Sequence, residues 1–352
     1  AEFYIAQNVG SILENDSQRG LAHFLEHMAF NGSKNFPGKS MLNYLESNGV
    51  KFGTDVNAYT SFDETVYNIS NVPVNREGIV DSCLLILHDW SNAIALEDKE
   101  IDEERGVIRE EWRTRTNANM RILEKLIPQV FAGSQYANRM PIGTMDIVMN
   151  FPYQTLKDYY HKWYRPDLQG IIIVGDIDAD KTEKKLKEIF NTIPKPENAA
   201  ERIYYTVPDN KEPIIAIAKD KEATGSQVTV YYKHKPMTKE LKATIAGIAG
   251  IYLKSVTSMM LNDRLKEISE KPNAPFMSAY SYDANFIVSK TMDAFTTMAV
   301  SKEGETQKAL KALLQETERV NRFGFTESEY ERAKANLLSM IESMYKEREK
   351  QK

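Results

Sequence analysis

The stretch GLAHFLEHMAFNG constrains this chain more than any other, because it sets His23 and His27 four residues apart with Glu26 between them. On a helix, residues four apart lie one turn above each other on one face, and Glu26, three residues after His23, flanks that face. Paired imidazoles suit Zn2+, and a carboxylate beside the metal can take a proton from water. The order His-x-x-Glu-His inverts the His-Glu-x-x-His zinc motif and is called inverzincin. Two helix histidines that merely cap or pack are the bland alternative, so the rest of the chain has to decide.

At 352 residues the chain exceeds what one hydrophobic core usually spans, so two domains are expected. A net charge of −5 gives no reason to expect nucleic acid or anionic lipid as a partner. No apolar run reaches the length of a membrane span. The single Cys83, in SCLLILHDW, excludes an internal disulfide and reads as core filler. The first residues, AEFYIAQNVGSIL, already read as a strand, and the last, MIESMYKEREKQK, as a charged helix. Both ends look cut, so a piece of a longer protein is expected.

Residues 2–14 alternate as a half-buried strand. Asn15-Asp16-Ser17 supplies capping side chains for the helix bearing HFLEH, and Asn31-Gly32 closes it. FPGKSMLNYLESNG is a second short helix. VNAYTSFDETVYNISNV reads as two strands around a polar turn. Helical spacing covers 75–95, and a long charged helix is expected over 97–127. Residues 128–153 read as loop, 154–163 as helix, GIIIVGDID as a buried-type strand and 180–194 as an amphipathic helix. That strand lacks GxGxxG, so a dinucleotide fold is not favoured.

IPKPENAAE marks an interdomain linker, placed at 196–205, which divides the chain into domains 1–195 and 206–352. Beyond it the order of elements repeats. PIIAIAKD and QVTVYYKHK are expected strands, 238–268 is helical, APFMSAYSYDANFIV and KTMDAFTTMAV are further strands, and 303–320 and 326–348 are helices. FTESEYERAKANLLSM (325–340) lines up with LEDKEIDEERGVIREE (96–111), which points to an internal duplication. The second copy has no HxxEH, places Met340 where the first has Glu111, and stops before an expected final strand and helix. The fold class expected is therefore α+β, two homologous domains of mostly antiparallel sheet packed with helices, with the metal on the first.

A catalytic zinc takes three protein ligands and keeps one position open, whereas a structural site is closed by four. His23 and His27 give two donors. The third should be a carboxylate from the helix 97–127, where Glu97, Glu100, Glu103, Glu104, Glu110 and Glu111 all stand as candidates. The residues alone do not choose among them.

Five stretches in order, GLAHFLEHMAFNGSKNFPG, VNAYTSFDETVYN, EERGVIREEW, MPIGTMDIV and YRPDLQGIIIVGDID, resemble the pitrilysin/insulinase family of inverzincin metallopeptidases, most of all its bacterial PqqL-type branch. The resemblance runs through residues 1–198, and the duplication accounts for the rest. It implies one Zn2+ per chain held by His23, His27 and Glu111. Glu26 would be the general base and Glu104 a supporting carboxylate behind the ligands. The interval from His27 to Glu111 is longer than the family's usual one, and if the extra length is misplaced Glu104 becomes the ligand.

The resemblance also implies a metalloendopeptidase acting on peptides or unfolded polypeptide. Substrate would lie as an added strand along VNAYT, with Asn57 and Ala58 as contacts. Family members enclose substrate between two such two-domain halves, so the second half is an expected partner. The PqqL-type likeness suggests the bacterial envelope or periplasm. One departure stands out: Ser269 occupies a position where many members carry an arginine, leaving Tyr280 or Tyr282 to meet substrate. His88, His161 and His234 lack ligand spacing and read as structural. The rival function is a non-proteolytic scaffold subunit of the same fold, although such relatives lose ligands that this chain keeps.

Overall fold

The computed structural model describes residues 1–350 and divides into two compact units, Ala1–Ala218 and a second beginning at Lys219. The first unit is built on a four-stranded antiparallel sheet. Its strands are β1 (Glu2–Gln7), β2 (Val56–Thr60), β3 (Thr65–Ile69) and β4 (Gln169–Val174), in the spatial order β2-β3-β1-β4. Its helices are α1 (Leu21–Met28), α2 (Ser40–Ser47), α3 (Ile79–Asn92), α4 (Asp98–Arg115), α5 (Ala118–Val130), α6 (Met145–Asn150), α7 (Tyr153–Trp163) and α8 (Ala179–Phe190). Alternation sends Phe3 and Ile5 of β1, and Tyr67 and Ile69 of β3, into the core. Trp90 of α3 stacks on Tyr67 with ring centroids 5.3 Å apart and donates its indole N–H to Ala29 O at 3.0 Å. That one side chain ties α3 to the sheet and to the end of α1.

The entry to α1 differs from the capping expected. Asn15 caps a separate 3-10 turn, Asp16–Gln18, through a reciprocal box with Gln18. The first turn of α1 is capped instead by Glu14, whose carboxylate oxygens accept the N–H groups of Gly20 (3.1 Å) and Ala22 (2.8 Å). Gly20 has φ +106° and sits against Gly143, φ +71°, where an added Cβ would lie 2.3 Å from Gly20 Cα. So the MPIGT loop packs directly under the start of the helix that carries both histidines.

Other boundaries moved for local reasons. The expected strand 2–14 stops at Gln7 and a 3-10 turn, Ser11–Leu13, follows. The helix expected over 97–127 breaks in two because Asn117 is extended and its side chain accepts the N–H of Met120, starting a new helix. The loop 128–153 contains a 3-10 turn and α6. β4 is an edge strand, not a buried one, with Ile172 and Val174 exposed. The residues read as a linker pack onto the first unit: Arg202 is buried and bonds Asp63 at 2.8 Å. The division between units falls later than the linker, after Ala218.

The second unit holds β5 (Ser226–His234), α9 (Lys239–Lys242), α10 (Ile245–Ser269), β6 (Ser278–Asn285), β7 (Asp293–Ser301), α11 (Thr306–Phe323) and α12 (Glu327–Glu347). The sheet order is β5-β7-β6, all antiparallel. PIIAIAKD forms no strand here, and Ile214, Ile215 and Ile217 are exposed. Leu261, Leu265, Phe276, Ala299, Ala309 and Leu313 make the core. The duplication expected from sequence is visible in the topology: β2-β3-β1 of the first unit matches β6-β7-β5 of the second. The register that pairs 96–111 with 325–340 starts α4 at Asp98 and α12 at the matching Glu327. Among the described residues no helix is long and apolar enough to cross a membrane.

Candidate metal centre

α1 and α4 pack against each other so that three side chains converge. The nearest ligand atoms of His23, His27 and Glu111 all lie within 4.8 Å of one another, and among the described residues this is the one group able to hold a metal ion. Glu111 Oε2 is 3.1 Å from His27 Nε2 and 3.6 Å from His23 Nε2. Zinc bonds of about 2.0 Å at tetrahedral angles place neighbouring donors roughly 3.3 Å apart, so these separations suit the ion. Two imidazole nitrogens and one carboxylate oxygen are also the donor set of an open, catalytic-type site. The residues fit the group.

Two of the three ligand side chains, His27 and Glu111, have a second polar contact. His27 Nδ1 donates to Glu104 Oε1 at 2.7 Å, which leaves Nε2 to face Glu111. Arg115 holds the other oxygen of Glu111 at 2.7 Å. Asn31 donates to Glu104 Oε2 at 2.5 Å, and Lys39 donates to the Asn31 amide oxygen. His23 Nδ1 is buried without a hydrogen-bond partner. Burial, and then the charge of His27, lower the pKa of His23 to about 4, so its ring is neutral and able to donate a lone pair. Burial would lower His27 too, but its bonds to Glu104 and Glu111 outweigh that and raise it to about 9. Burial works against the Glu104 carboxylate, yet the bonds from His27 and Asn31 hold it below its ordinary range. The His27 bond likewise lowers Glu111.

Glu26 lies on the same helix, 8 % exposed, and accepts a 2.5 Å bond from Thr60 Oγ1 at the end of β2. Burial raises its pKa, and the Thr60 bond moderates the rise. β2 is the outer strand of its sheet. On it Asn57 is exposed and Ala58 half-buried, and Asn57 donates to Gly53 O at 2.9 Å. Tyr280 belongs to the second unit, where it is exposed and stacks on Tyr282 with centroids 5.9 Å apart. The Ser269 hydroxyl donates back along α10, to Lys266 O. His88 bonds Asp89 and Thr192, His161 bonds Lys157 O, and His234 bonds Asp283. Thr60, Asn31, Lys39 and Arg115 were not singled out by sequence, because a threonine in a strand or an asparagine after a helix is ordinary local chemistry. In the second copy Ala333 stands at the Glu104 position and Met340, exposed, at that of Glu111.

Residues 4–141 match the family described as Insulinase (Peptidase family M16), and residues 150–337 match Peptidase M16 inactive domain. The chain is 33% identical over 324 residues to the probable zinc protease PqqL of Haemophilus influenzae, covering 92% of this chain and 34% of that one. It is 32% identical over 336 residues to the probable zinc protease PqqL of Escherichia coli, covering 96% and 35%. It thus spans about a third of the length of these relatives. The crystal structure of the first half of the periplasmic protease PqqL from Escherichia coli superposes with a TM-score of 0.83 at 29% identity, covering 99% of this chain and 73% of that one. The matched sequence, the duplicated α+β units and the superposition agree: this chain belongs to the M16 insulinase family of peptidases and is similar to the N-terminal half of PqqL.

Proposed function

We propose that the chain is the catalytic half of a zinc-dependent endopeptidase of peptides or unfolded polypeptides. The observation that carries this reading is the convergence of His23, His27 and Glu111 on one point with the carboxylate of Glu26 on the same helix. A zinc ion held by His23, His27 and Glu111 would supply a Lewis acid for the scissile carbonyl and would lower the pKa of water. Glu26, held by Thr60, takes the proton of the attacking water and passes it to the leaving amine. Glu104 fixes the His27 ring, and Arg115 braces Glu111. Past Val56, whose N–H and C=O are taken by Lys51 and Gly53, the outer strand β2 offers a backbone edge to an extended peptide, with Asn57 and Ala58 along it, and its last residue, Thr60, reaches Glu26. Tyr280 is offered as a further substrate contact, from the second unit. A second two-domain half would close the substrate chamber, and the periplasm is the compartment the Escherichia coli neighbour suggests.

The test is zinc content per chain, measured for the parent, His27→Ala and Glu111→Gln. About one zinc in the parent, lost in both variants, is the expected result. In the protein carrying both halves, Glu26→Gln should keep zinc while peptide hydrolysis falls by about 100- to 10,000-fold. Undiminished hydrolysis in that variant would remove the general-base role. A parent that takes up no zinc would favour the scaffold function.

A further inference from the structure

We infer that Asn31 and Lys39 are positioning residues for the metal centre: they orient the Glu104 carboxylate and thereby settle which nitrogen of His27 is offered to the metal. The inference rests on the reading of His23, His27 and Glu111 as ligands. Its basis is the one-way polarity of the chain Lys39–Asn31–Glu104–His27. A lysine ammonium has donors and no acceptor, so the amide oxygen of Asn31 must face it. The NH2 of Asn31 is then turned to Glu104, where Nδ2 lies 2.5 Å from Oε2. The other carboxylate oxygen is free to accept from His27 Nδ1 at 2.7 Å. With Nδ1 given to Glu104, Nε2 is the nitrogen left for the metal, on the side where Glu111 stands.

The terminal torsion of a glutamate is soft, so one hydrogen bond leaves its carboxylate plane poorly fixed. Bonds on both oxygens, to His27 and to Asn31, hold that plane. Asn31 is 6 % exposed and lies three residues past the end of α1, its backbone N–H bonded to Met28 O, so the segment that carries two ligands also carries the group that orients one of them. The NH2 also lies 3.9 Å from Met28 Sδ, a weak acceptor that would not hold the amide by itself. Lys39, exposed in the stretch leading to α2, supplies the directionality from outside the core.

Zinc affinity by chelator competition on this chain tests the relay, with Asn31→Leu, Lys39→Met, Glu104→Gln and the Asn31→Leu/Glu104→Gln double variant. Asn31→Leu should weaken zinc roughly tenfold, the lower end of the range for groups behind a ligating histidine, and Lys39→Met by a smaller factor. Because Asn31 acts through Glu104, the double variant should bind no more weakly than Glu104→Gln alone. An Asn31→Leu affinity within about twofold of the parent, or losses that multiply in the double variant, would overturn the relay. Should Asn31→Leu fail to fold, the surface variant Lys39→Met decides, and unchanged affinity there overturns the relay. Zinc uptake by the parent that is lost in His27→Ala, with no effect of Asn31→Leu, sinks the relay and leaves the metal reading intact. No zinc in the parent sinks both.

Discussion

His27 is held between two carboxylates, one on each ring nitrogen, and the two come from one helix. Glu104 and Glu111 are seven residues apart on α4, two turns, so their side chains leave the helix on nearly the same face and about 10 Å apart along it. Local pattern therefore treats them alike. Thr60 plays for Glu26 the part that Glu104 plays for His27. Thr60→Val keeps the shape and removes the donor to a buried carboxylate, a bond worth about 1.5 kcal/mol. In the protein carrying both halves, kcat for a peptide should fall about tenfold with zinc content unchanged, and Thr60→Ser should restore most of it. Equal rates for valine and serine at this position would show that the hydroxyl does not matter to Glu26.

At the scale of the elements, the placement of α1 depends on contacts that its own sequence does not contain. Its N-terminus is capped by Glu14, and burial raises that carboxyl to about 8 even as it accepts two backbone N–H groups. Gly143 sits beneath Gly20 with no room for a side chain. Gly143→Ala combines a left-handed φ with a backbone clash and should cost about 3 kcal/mol, read as a lower midpoint in urea unfolding. The same variant should bind zinc more weakly, because the start of the histidine helix must shift to make room. A stability within about 0.5 kcal/mol of the parent would mean the MPIGT loop yields freely. The split of the long helix at Asn117 is also decided locally, since a single capping side chain favours a restart over continuation.

For the whole molecule, two units of like topology have diverged in what they bury between their helices. In the first, α4 turns Glu104 and Glu111 toward histidines. In the second, Arg264 of α10 is buried and bonded to Glu316 and Glu329, at the start of α12. The Arg264 bond holds Glu329 down to about 2. A carboxylate with a lowered folded-state pKa contributes its stability above the unfolded value and loses it as pH falls toward the folded one. The second unit should therefore weaken as pH drops from about 4.5 toward 2, and Glu329→Gln should cost about 2 kcal/mol at pH 7 and progressively less on acidification. Urea unfolding of parent and variant at several pH values checks this, and a difference independent of pH would remove Glu329 from the account.

The HxxEH spacing, the candidate glutamates, the strand around Val56–Thr60 and the duplication were legible in the sequence, because each depends on helix or strand periodicity within a few turns. The choice between Glu111 and Glu104 for the Nε2 face of His27 was not, and neither was the role of Thr60, Asn31 or Glu14. Those depend on how α1 lies across α4 and against β2, contacts between residues far apart in the chain that no local pattern encodes. β4 shows the limit from the other side: its run of isoleucines reads as buried, yet it stands at the sheet edge with Ile172 and Val174 exposed. Composition sets what a strand can bury, and only the tertiary arrangement decides what lies over it.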